Sequence, residues 1–253
     1  TATTAATTAE KTEEKTTAAA ASSEEVTEAP VESLSIREQA EQIVSGMTLE
    51  QKIAQMITIS LRQWDDTPVT ELNEQQKALL TKYDFGGMIL FGQNCTDTEQ
   101  TVRLTAAIQE AAMASEQGIP MLISADQEGG SIVRLSKGTT TCGNMALGAA
   151  GDTQSAWDNA AIIGGELSAV GINTDYAPDT DVNNNPSNPV INVRSFSSDP
   201  ELVAKLALAY VQGLESEGVI STAKHYPGHG DTGTDSHTGL PMIDKSYDEL
   251  KQT

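Results

Sequence analysis

The strongest constraint on the fold is an order of segments that the sequence repeats three times: a helical stretch, a glycine, a short apolar stretch and a polar loop. Each glycine ends a helical stretch, and the apolar residues after it are too few for a helix but enough for a buried strand. These apolar stretches lie at residues 121–126, 172–177 and 219–224. Alternating helices and strands predict an α/β fold with a parallel sheet, either a closed barrel or an open doubly wound sheet.

Charged side chains at the ends of successive predicted strands favour the barrel. They are Asp126, Asp175, Asp179, Lys224 and His225. A barrel brings the carboxyl ends of all its strands to one rim, whereas an open sheet gathers mainly the side chains at one switch point. We therefore predict a TIM-like (β/α) barrel.

The predicted barrel is incomplete. About five strands are visible where a full barrel has eight. A capping-box pattern at residues 246–249 predicts the start of one more helix just before Thr253. We therefore expect a barrel truncated after about five strands.

The N-terminal residues 1–33 differ in composition from the rest of the chain. They are rich in Thr, Ala and Glu, and residues 1–30 contain no Leu, Ile, Met or aromatic side chain. Such a segment has too little apolar surface to offset the entropy of ordering it. We predict a disordered leader at 1–33 and one folded domain at 34–253. A leader of this kind suits a spacer after a secretory or lipoprotein signal, which predicts a secreted or cell-surface protein.

The net charge of −21 limits the partners of the chain. Nucleic acids and anionic membrane surfaces would repel a protein of this charge, so neither is expected as a partner. No apolar stretch is long enough to cross a bilayer.

The chemistry-bearing residues are concentrated in one segment. All three histidines of the chain, His225, His229 and His237, lie within residues 224–237. The glycines at 228, 230 and 233 formally match a dinucleotide-binding fingerprint. That motif must open a helix, and the residues that follow here are polar and end in a proline, so we reject this interpretation.

Two kinds of chemistry remain open for this segment. The cluster His225, His229 and His237 could hold a metal ion, although its spacing matches no closed zinc pattern. Alternatively, Asp235 and His237 could act as an acid/base pair, because a carboxylate that bonds one ring nitrogen leaves the other to give or take a proton.

The segment Lys224-His-Tyr-Pro-Gly-His-Gly-Asp-Thr followed by Asp235-Ser-His237 resembles the signature of family 3 glycoside hydrolases, in the β-N-acetylhexosaminidase branch. The blocks Asp126-Gln-Glu-Gly-Gly130 with Arg134, Tyr176-Ala-Pro-Asp179 and Arg194-Ser-Phe196 resemble the other motifs of that family, in the same order. The resemblance extends over about residues 34–253.

The resemblance implies a TIM-like barrel that hydrolyses terminal N-acetyl-β-hexosamine residues of peptidoglycan- or chitin-type glycans with retention, without a metal or cofactor. It implies that His237 is the general acid/base and Asp235 its partner. It also implies a set of residues that bind the sugar: Asp126, Arg134, Arg194, Lys224 and His225. Transfer of the sugar to phosphate is a related possibility within the same resemblance.

Two features depart from the family pattern. Ser131 stands where the family usually has a basic residue after the double glycine. Retaining cleavage also needs a carboxylate nucleophile, which the resemblance implies lies beyond Thr253, so no nucleophile is assigned. The alternatives are a metal-dependent hydrolase that uses the histidine cluster, and a non-catalytic sugar-binding module. The sequence does not indicate the oligomeric state.

Overall fold

The computed structural model describes residues 34–250. The predicted leader at 1–33 lies outside the described residues and stays a prediction. The chain divides into residues 1–40 and a much larger compact unit, residues 41–253. Of the first unit, residues 34–40 are described, and they include the start of the first helix.

Helices and short strands alternate along the described chain. The helices are α1 (Ile36–Gly46), α2 (Leu49–Gln55), α3 (Glu74–Lys82), α4 (Thr98–Met113), α5 (Asn144–Ala150), α6 (Thr153–Ala169), α7 (Pro200–Ser216) and α8 (Tyr247–Leu250). The strands are β1 (Thr58–Ile59), β2 (Gln63–Trp64), β3 (Thr67–Pro68), β4 (Gly87–Ile89), β5 (Leu122–Ala125), β6 (Thr174–Asp175) and β7 (Ile220–Ser221). Within residues 34–250, no helix combines the length and the hydropathy that a membrane crossing requires.

Short polar side chains begin several of the described helices. Asp97, Asp152 and Asp199 each accept a hydrogen bond from a backbone N–H in the first turn of α4, α6 and α7. Thr48 caps α2 in a capping box with Gln51. These caps satisfy N–H groups that have no partner within the helix, which is why they mark helix starts in a sequence.

The five strands of the main sheet are all parallel and lie in the order β1-β4-β5-β6-β7. Each new strand is added on the same side as the one before it, so the order follows the chain without a reversal. The predicted α/β fold with a parallel sheet is confirmed. Strands β2 and β3 form a separate antiparallel hairpin that no sequence pattern predicted.

The strands are shorter than the apolar stretches that predicted them. Strand β6 contains two residues, although Ile172 and Ala177 on either side of it are fully buried. An apolar pattern in the sequence indicates which residues are buried. The length of a strand, in contrast, is set by how many of its residues form hydrogen bonds with a neighbouring strand. The predicted elements are therefore right in kind and too long at their ends.

Close contact between α6 and α7 depends on glycines. A Cβ atom added at Gly213 would lie 2.8 Å from the Cβ of Ala160 and 3.1 Å from the backbone nitrogen of Ala161. A Cβ at Gly164 would lie 3.1 Å from the Cβ of Glu217. The two helix backbones can therefore approach each other only because these positions lack side chains.

We expect Gly213→Ala to lower the free energy of unfolding by about 1–3 kcal/mol, because overpacking outweighs the gain of about 1 kcal/mol that alanine brings to a helix. Gly165→Ala is the matched control, since its Cβ would meet only the carboxylate end of Glu217 at 3.6 Å. That variant should be unchanged or slightly more stable. Denaturant unfolding of both variants tests this, and equal effects would contradict the packing argument.

Candidate active site

The carboxyl ends of β5, β6 and β7 bring distant parts of the sequence together. Asp126 follows β5 directly, and the backbones of Asp179 and Lys224 form one further parallel bridge beyond β6 and β7. Parallel strands place their carboxyl ends on one edge. The charged residues that follow these strands therefore meet there.

Asp126 is bound by two cations. Its Oδ2 accepts a hydrogen bond from Arg134 Nη2 at 3.1 Å, and its Oδ1 accepts one from Lys224 Nζ at 2.9 Å. Burial acts to raise the pKa of Asp126, but Lys224 and then Arg134 outweigh it and hold the pKa below its usual value. Asp126 is therefore an ionised acceptor at neutral pH.

Glu128 binds Arg194 and shares Lys224 with Asp126, and the sequence-based prediction missed it. Its side chain is 3% exposed. Arg194 binds both of its oxygens, at 2.8 and 2.9 Å, and Lys224 Nζ lies 2.6 Å from Oε1. Despite the opposing effect of burial, these partners lower the pKa of Glu128. The available signal was its place in the block that starts at Asp126.

His225 contacts a second buried carboxylate that was not predicted. Its Nδ1 lies 2.6 Å from Asp181 Oδ2 and 3.8 Å from Asp179 Oδ2. Asp179 also lies 3.6 Å from Arg194 Nη2. Burial, together with the charge of Asp181, raises the pKa of Asp179 to about 8. Asp179 is therefore mostly protonated at neutral pH, and Asp181 carries the negative charge.

Asp179 should make folding stability depend on pH. Between its ordinary pKa of 3.8 and its raised pKa of about 8, the folded chain keeps a proton that the unfolded chain releases. The free energy of unfolding should therefore fall as pH rises through this window, by at most about 1.4 kcal/mol per pH unit from this group. Asp179→Asn removes the titration, so its stability relative to the wild type should rise from pH 4 to pH 8 and then level off.

Denaturant unfolding at several pH values measures this difference. Asp158→Asn, at an exposed position on α6, is the control and should leave the pH profile unchanged. A constant difference between Asp179→Asn and the wild type across the whole window would contradict the assignment.

The three histidines do not converge on one metal position. Among the described residues, the group with the geometry of a metal site is Asp179, Asp181 and His225, whose ligand atoms all lie within 4.8 Å of one another. Asp181 and His225 are hydrogen-bonded to each other, and the charge that faces Asp179 Oδ2 is the Arg194 guanidinium, 3.6 Å away. His229 and His237 have separate partners.

Asp235 and His237 form a pair at the surface. The Nδ1 of His237 lies 2.7 Å from Asp235 Oδ1, and the backbone N–H of His237 donates to the same oxygen at 2.9 Å. The backbone and then the side chain of His237 lower the pKa of Asp235. The His237 side chain is 78% exposed, so its ring can reach a ligand in the adjacent cavity.

His229 bonds two hydroxyl groups later in the histidine-rich segment. Its ring is buried and bonds the hydroxyl of Thr232 through Nδ1 and that of Ser236 through Nε2, the latter at 3.1 Å. Ser236 lies between Asp235 and His237, so His229 attaches the loop of this pair to the protein interior.

One open cavity of about 580 Å³ collects the predicted residues. Its wall includes all seven of them: Asp126, Arg134, Arg194, Lys224, His225, Asp235 and His237. Glu128, Tyr176 and Phe91 also line it. The volume is within the usual range for sites of small ligands.

The family model for the glycosyl hydrolase family 3 N terminal domain matches residues 48–253. The chain belongs to glycoside hydrolase family 3. The matched region contains every residue of the cavity wall.

Two relatives of the chain are named beta-hexosaminidases. "Beta-hexosaminidase A" of Pseudoalteromonas piscicida is 48% identical over 189 residues, which cover 73% of this chain and 32% of that protein. "Beta-hexosaminidase LpqI" of Mycobacterium tuberculosis is 36% identical over 205 residues, which cover 79% of this chain and 49% of that protein. The chain thus spans about a third of the first relative's length and about half of the second's.

Solved structures of family members have the same fold. A glycoside hydrolase family 3 β-N-acetylglucosaminidase from Paenibacillus is 45% identical, with a TM-score of 0.75 over 81% of this chain and 38% of that one. NagZ from Neisseria gonorrhoeae is 33% identical, with a TM-score of 0.68 over 78% of this chain and 57% of that one.

Proposed function

We propose that this chain provides the sugar-binding and acid/base residues of a retaining β-N-acetylhexosaminidase that acts on peptidoglycan- or chitin-type glycans. This proposal rests on one observation: a charged cavity large enough for a sugar has an exposed His–Asp pair on its wall. Relatives named beta-hexosaminidase support the same chemistry.

The cavity has the donors and acceptors that a sugar needs. Asp126 is an acceptor for hydroxyl protons, whereas Arg134, Arg194 and Lys224 are fixed donors. Because carboxylates hold these cations in place, their orientation is set before a sugar arrives. This arrangement favours one orientation of the terminal sugar ring.

The Asp235–His237 pair supplies the proton transfer. The Nδ1–H of His237 donates to the Asp235 carboxylate, which stabilises the charged imidazolium and leaves Nε2 for proton exchange. In the first step the imidazolium gives its proton to the glycosidic oxygen. In the second step the neutral ring takes a proton from the attacking water.

Two buried carboxyl groups close to the site, Asp175 and Asp179, do not suit the role of nucleophile. Burial raises the pKa of Asp175 well above its usual value, and the pKa of Asp179 is about 8. A protonated carboxyl group is a poor nucleophile. We therefore assign the nucleophile to neither.

We further propose that the five-stranded sheet is part of a TIM-like barrel. The strand order advances in one direction without a switch point, which supports a barrel wall rather than a doubly wound sheet. In a structure of the protein from its complete reading frame, β1 and β7 should each pair with a further strand. A reversal of strand order would contradict the barrel.

The test of function is the initial rate on an aryl N-acetyl-β-glucosaminide, with the matched aryl β-glucoside as control and excess chelator present. The protein from the complete reading frame should hydrolyse the first substrate in preference and release the β-anomer. Loss of activity with the chelator would favour the metal-dependent alternative. Sugar binding without turnover would favour a binding module, and sugar 1-phosphate formed with added phosphate would favour phosphorolysis.

A further inference from the structure

Asp181 bonds two residues of the histidine-rich segment, His225 and His229. Its Oδ2 lies 2.6 Å from Nδ1 of His225, and its Oδ1 accepts the backbone N–H of His229. The residue is itself held in place, because its own N–H donates to Asp179 Oδ1 at 2.9 Å. Asp181 is buried, so water does not compete for these bonds.

The partners of His225 determine which ring nitrogen carries the proton. A carboxylate only accepts hydrogen bonds, so the ring must donate from Nδ1. On the other side of the ring, Nε2 lies 3.4 Å from Nη2 of Arg194, which can only donate. The arrangement therefore matches a neutral ring with hydrogen on Nδ1 and a lone pair on Nε2.

We infer that Asp181 is a positioning residue that fixes His225 in the Nδ1–H tautomer, so that His225 presents Nε2 to the sugar cavity as a hydrogen-bond acceptor. No sequence motif used above singled out Asp181. The inference deepens the proposed function and rests on it in one respect, namely that the ligand of the cavity is a sugar.

The tautomer determines what His225 can do with a sugar. An Nε2 lone pair can accept one hydrogen bond, either from Arg194 Nη2, which lies 3.4 Å away, or from a sugar hydroxyl that replaces this long contact. An Nε2–H would have to donate and would face the guanidinium of Arg194 donor to donor. The three carboxylates on the cavity wall, Asp126, Glu128 and Asp235, are each already bonded to a side-chain donor of the protein. Asp181 therefore acts on binding through the ring of His225.

Asp181→Asn tests the inference because the carboxamide has one acceptor and one donor. The backbone N–H of His229 cannot reverse its polarity, so the amide oxygen should face it. The amide NH₂ then faces Nδ1 of His225, which must accept. We expect the variant to convert His225 from the Nδ1–H to the Nε2–H tautomer.

The first measurement is the ¹⁵N spectrum of the histidine rings in the protein from its complete reading frame, with His225→Gln used to assign the signals. Asp235→Asn is the matched control, since it changes the partner of His237 and should leave the His225 signals unchanged. An Nε2–H ring in the wild type, or the same tautomer in the wild type and Asp181→Asn, would overturn the inference.

The second measurement is the affinity for N-acetylglucosamine by calorimetry, together with KM and kcat. A reversed ring should weaken sugar binding about tenfold or more, with a larger change in KM than in kcat, because the sugar hydroxyl loses its acceptor and Nε2–H faces another donor. A converted tautomer with unchanged affinity and KM would overturn the positioning role. Failure of the proposed function is seen separately, as absence of turnover in the wild type.

Discussion

Replacing His237 with alanine is expected to lower kcat on an N-acetyl-β-glucosaminide by about 10²–10⁴-fold, which is the usual contribution of a general acid/base. The His237 ring pairs with Asp235 through Nδ1 and lies on the wall of the cavity. Without the ring, the leaving oxygen must depart as an unprotonated alkoxide. Initial rates at saturating substrate measure the loss.

The size of this loss should depend on the leaving group. A dinitrophenyl group leaves readily as its anion, so cleavage of its glycoside by His237→Ala should be affected least. An N-acetylglucosamine disaccharide should be affected most. A loss of equal size for both substrates would indicate damage to the fold, and full activity of the variant on the disaccharide would refute the assignment.

Asp235→Asn tests the contribution of the carboxylate in the Asp235–His237 pair. The amide keeps the shape of the side chain but removes the charge that stabilises the imidazolium, so kcat should fall, though less than in His237→Ala. Asp244→Asn is the matched control, because Asp244 lies seven residues after His237, is exposed and does not line the cavity. It should retain wild-type kcat.

Glu128→Gln is expected to destabilise the fold by about 3–5 kcal/mol, which is the cost of removing one member of a buried charge network. Glu128 faces Lys224 and Arg194, whose side chains are each 13% exposed. Because its partners lower its pKa, the carboxylate contributes stability above the ordinary glutamate pKa, and that contribution is lost as the pH falls. Denaturant unfolding at pH 7 measures the effect.

The control for Glu128 is Glu99→Gln on α4. Glu99 contacts Arg103 at 2.6 Å, a distance similar to that between Glu128 and Lys224, but both side chains are exposed. Surface pairs contribute about 0–1 kcal/mol, so this variant should change little. Equal effects of the two substitutions would contradict the argument from burial.

A double variant separates charge balance from shape at Glu128. Adding Lys224→Met to Glu128→Gln removes the cation that the first substitution leaves without its partner. The combined loss of stability should therefore be smaller than the sum of the single losses, as expected for residues in direct contact. Strict additivity would show that the two side chains do not act as one network.

Local features of the fold were predictable because they depend on short-range bonds. The caps at Asp97, Asp152 and Asp199 bond N–H groups two or three residues away, and such contacts leave a direct trace in the sequence. The hairpin of β2 and β3 was missed because its strands have two residues each, too few for any period to be visible.

The site was predictable where a residue directly follows a strand or belongs to a motif. Asp126 satisfies both conditions, and Lys224, three residues after β7, satisfies the second. Glu128 and Asp181 were missed because their roles come from partners far away in the chain: Glu128 bonds Arg194, 66 residues later, and Asp181 bonds His225, 44 residues later. Glu128 lies in the motif block that starts at Asp126, but neither residue has a local signal that identifies its partner.

The sequence by itself determined the alternation of helices and strands, the helix starts and the family motifs with their seven cavity residues, because periodicity, capping and motif order are local properties of the chain. Only the tertiary structure decided which acid pairs with which base, which carboxyl group keeps its proton, and how His225 is oriented. Those outcomes depend on burial and on distances between side chains from different strands, and the fold alone creates both.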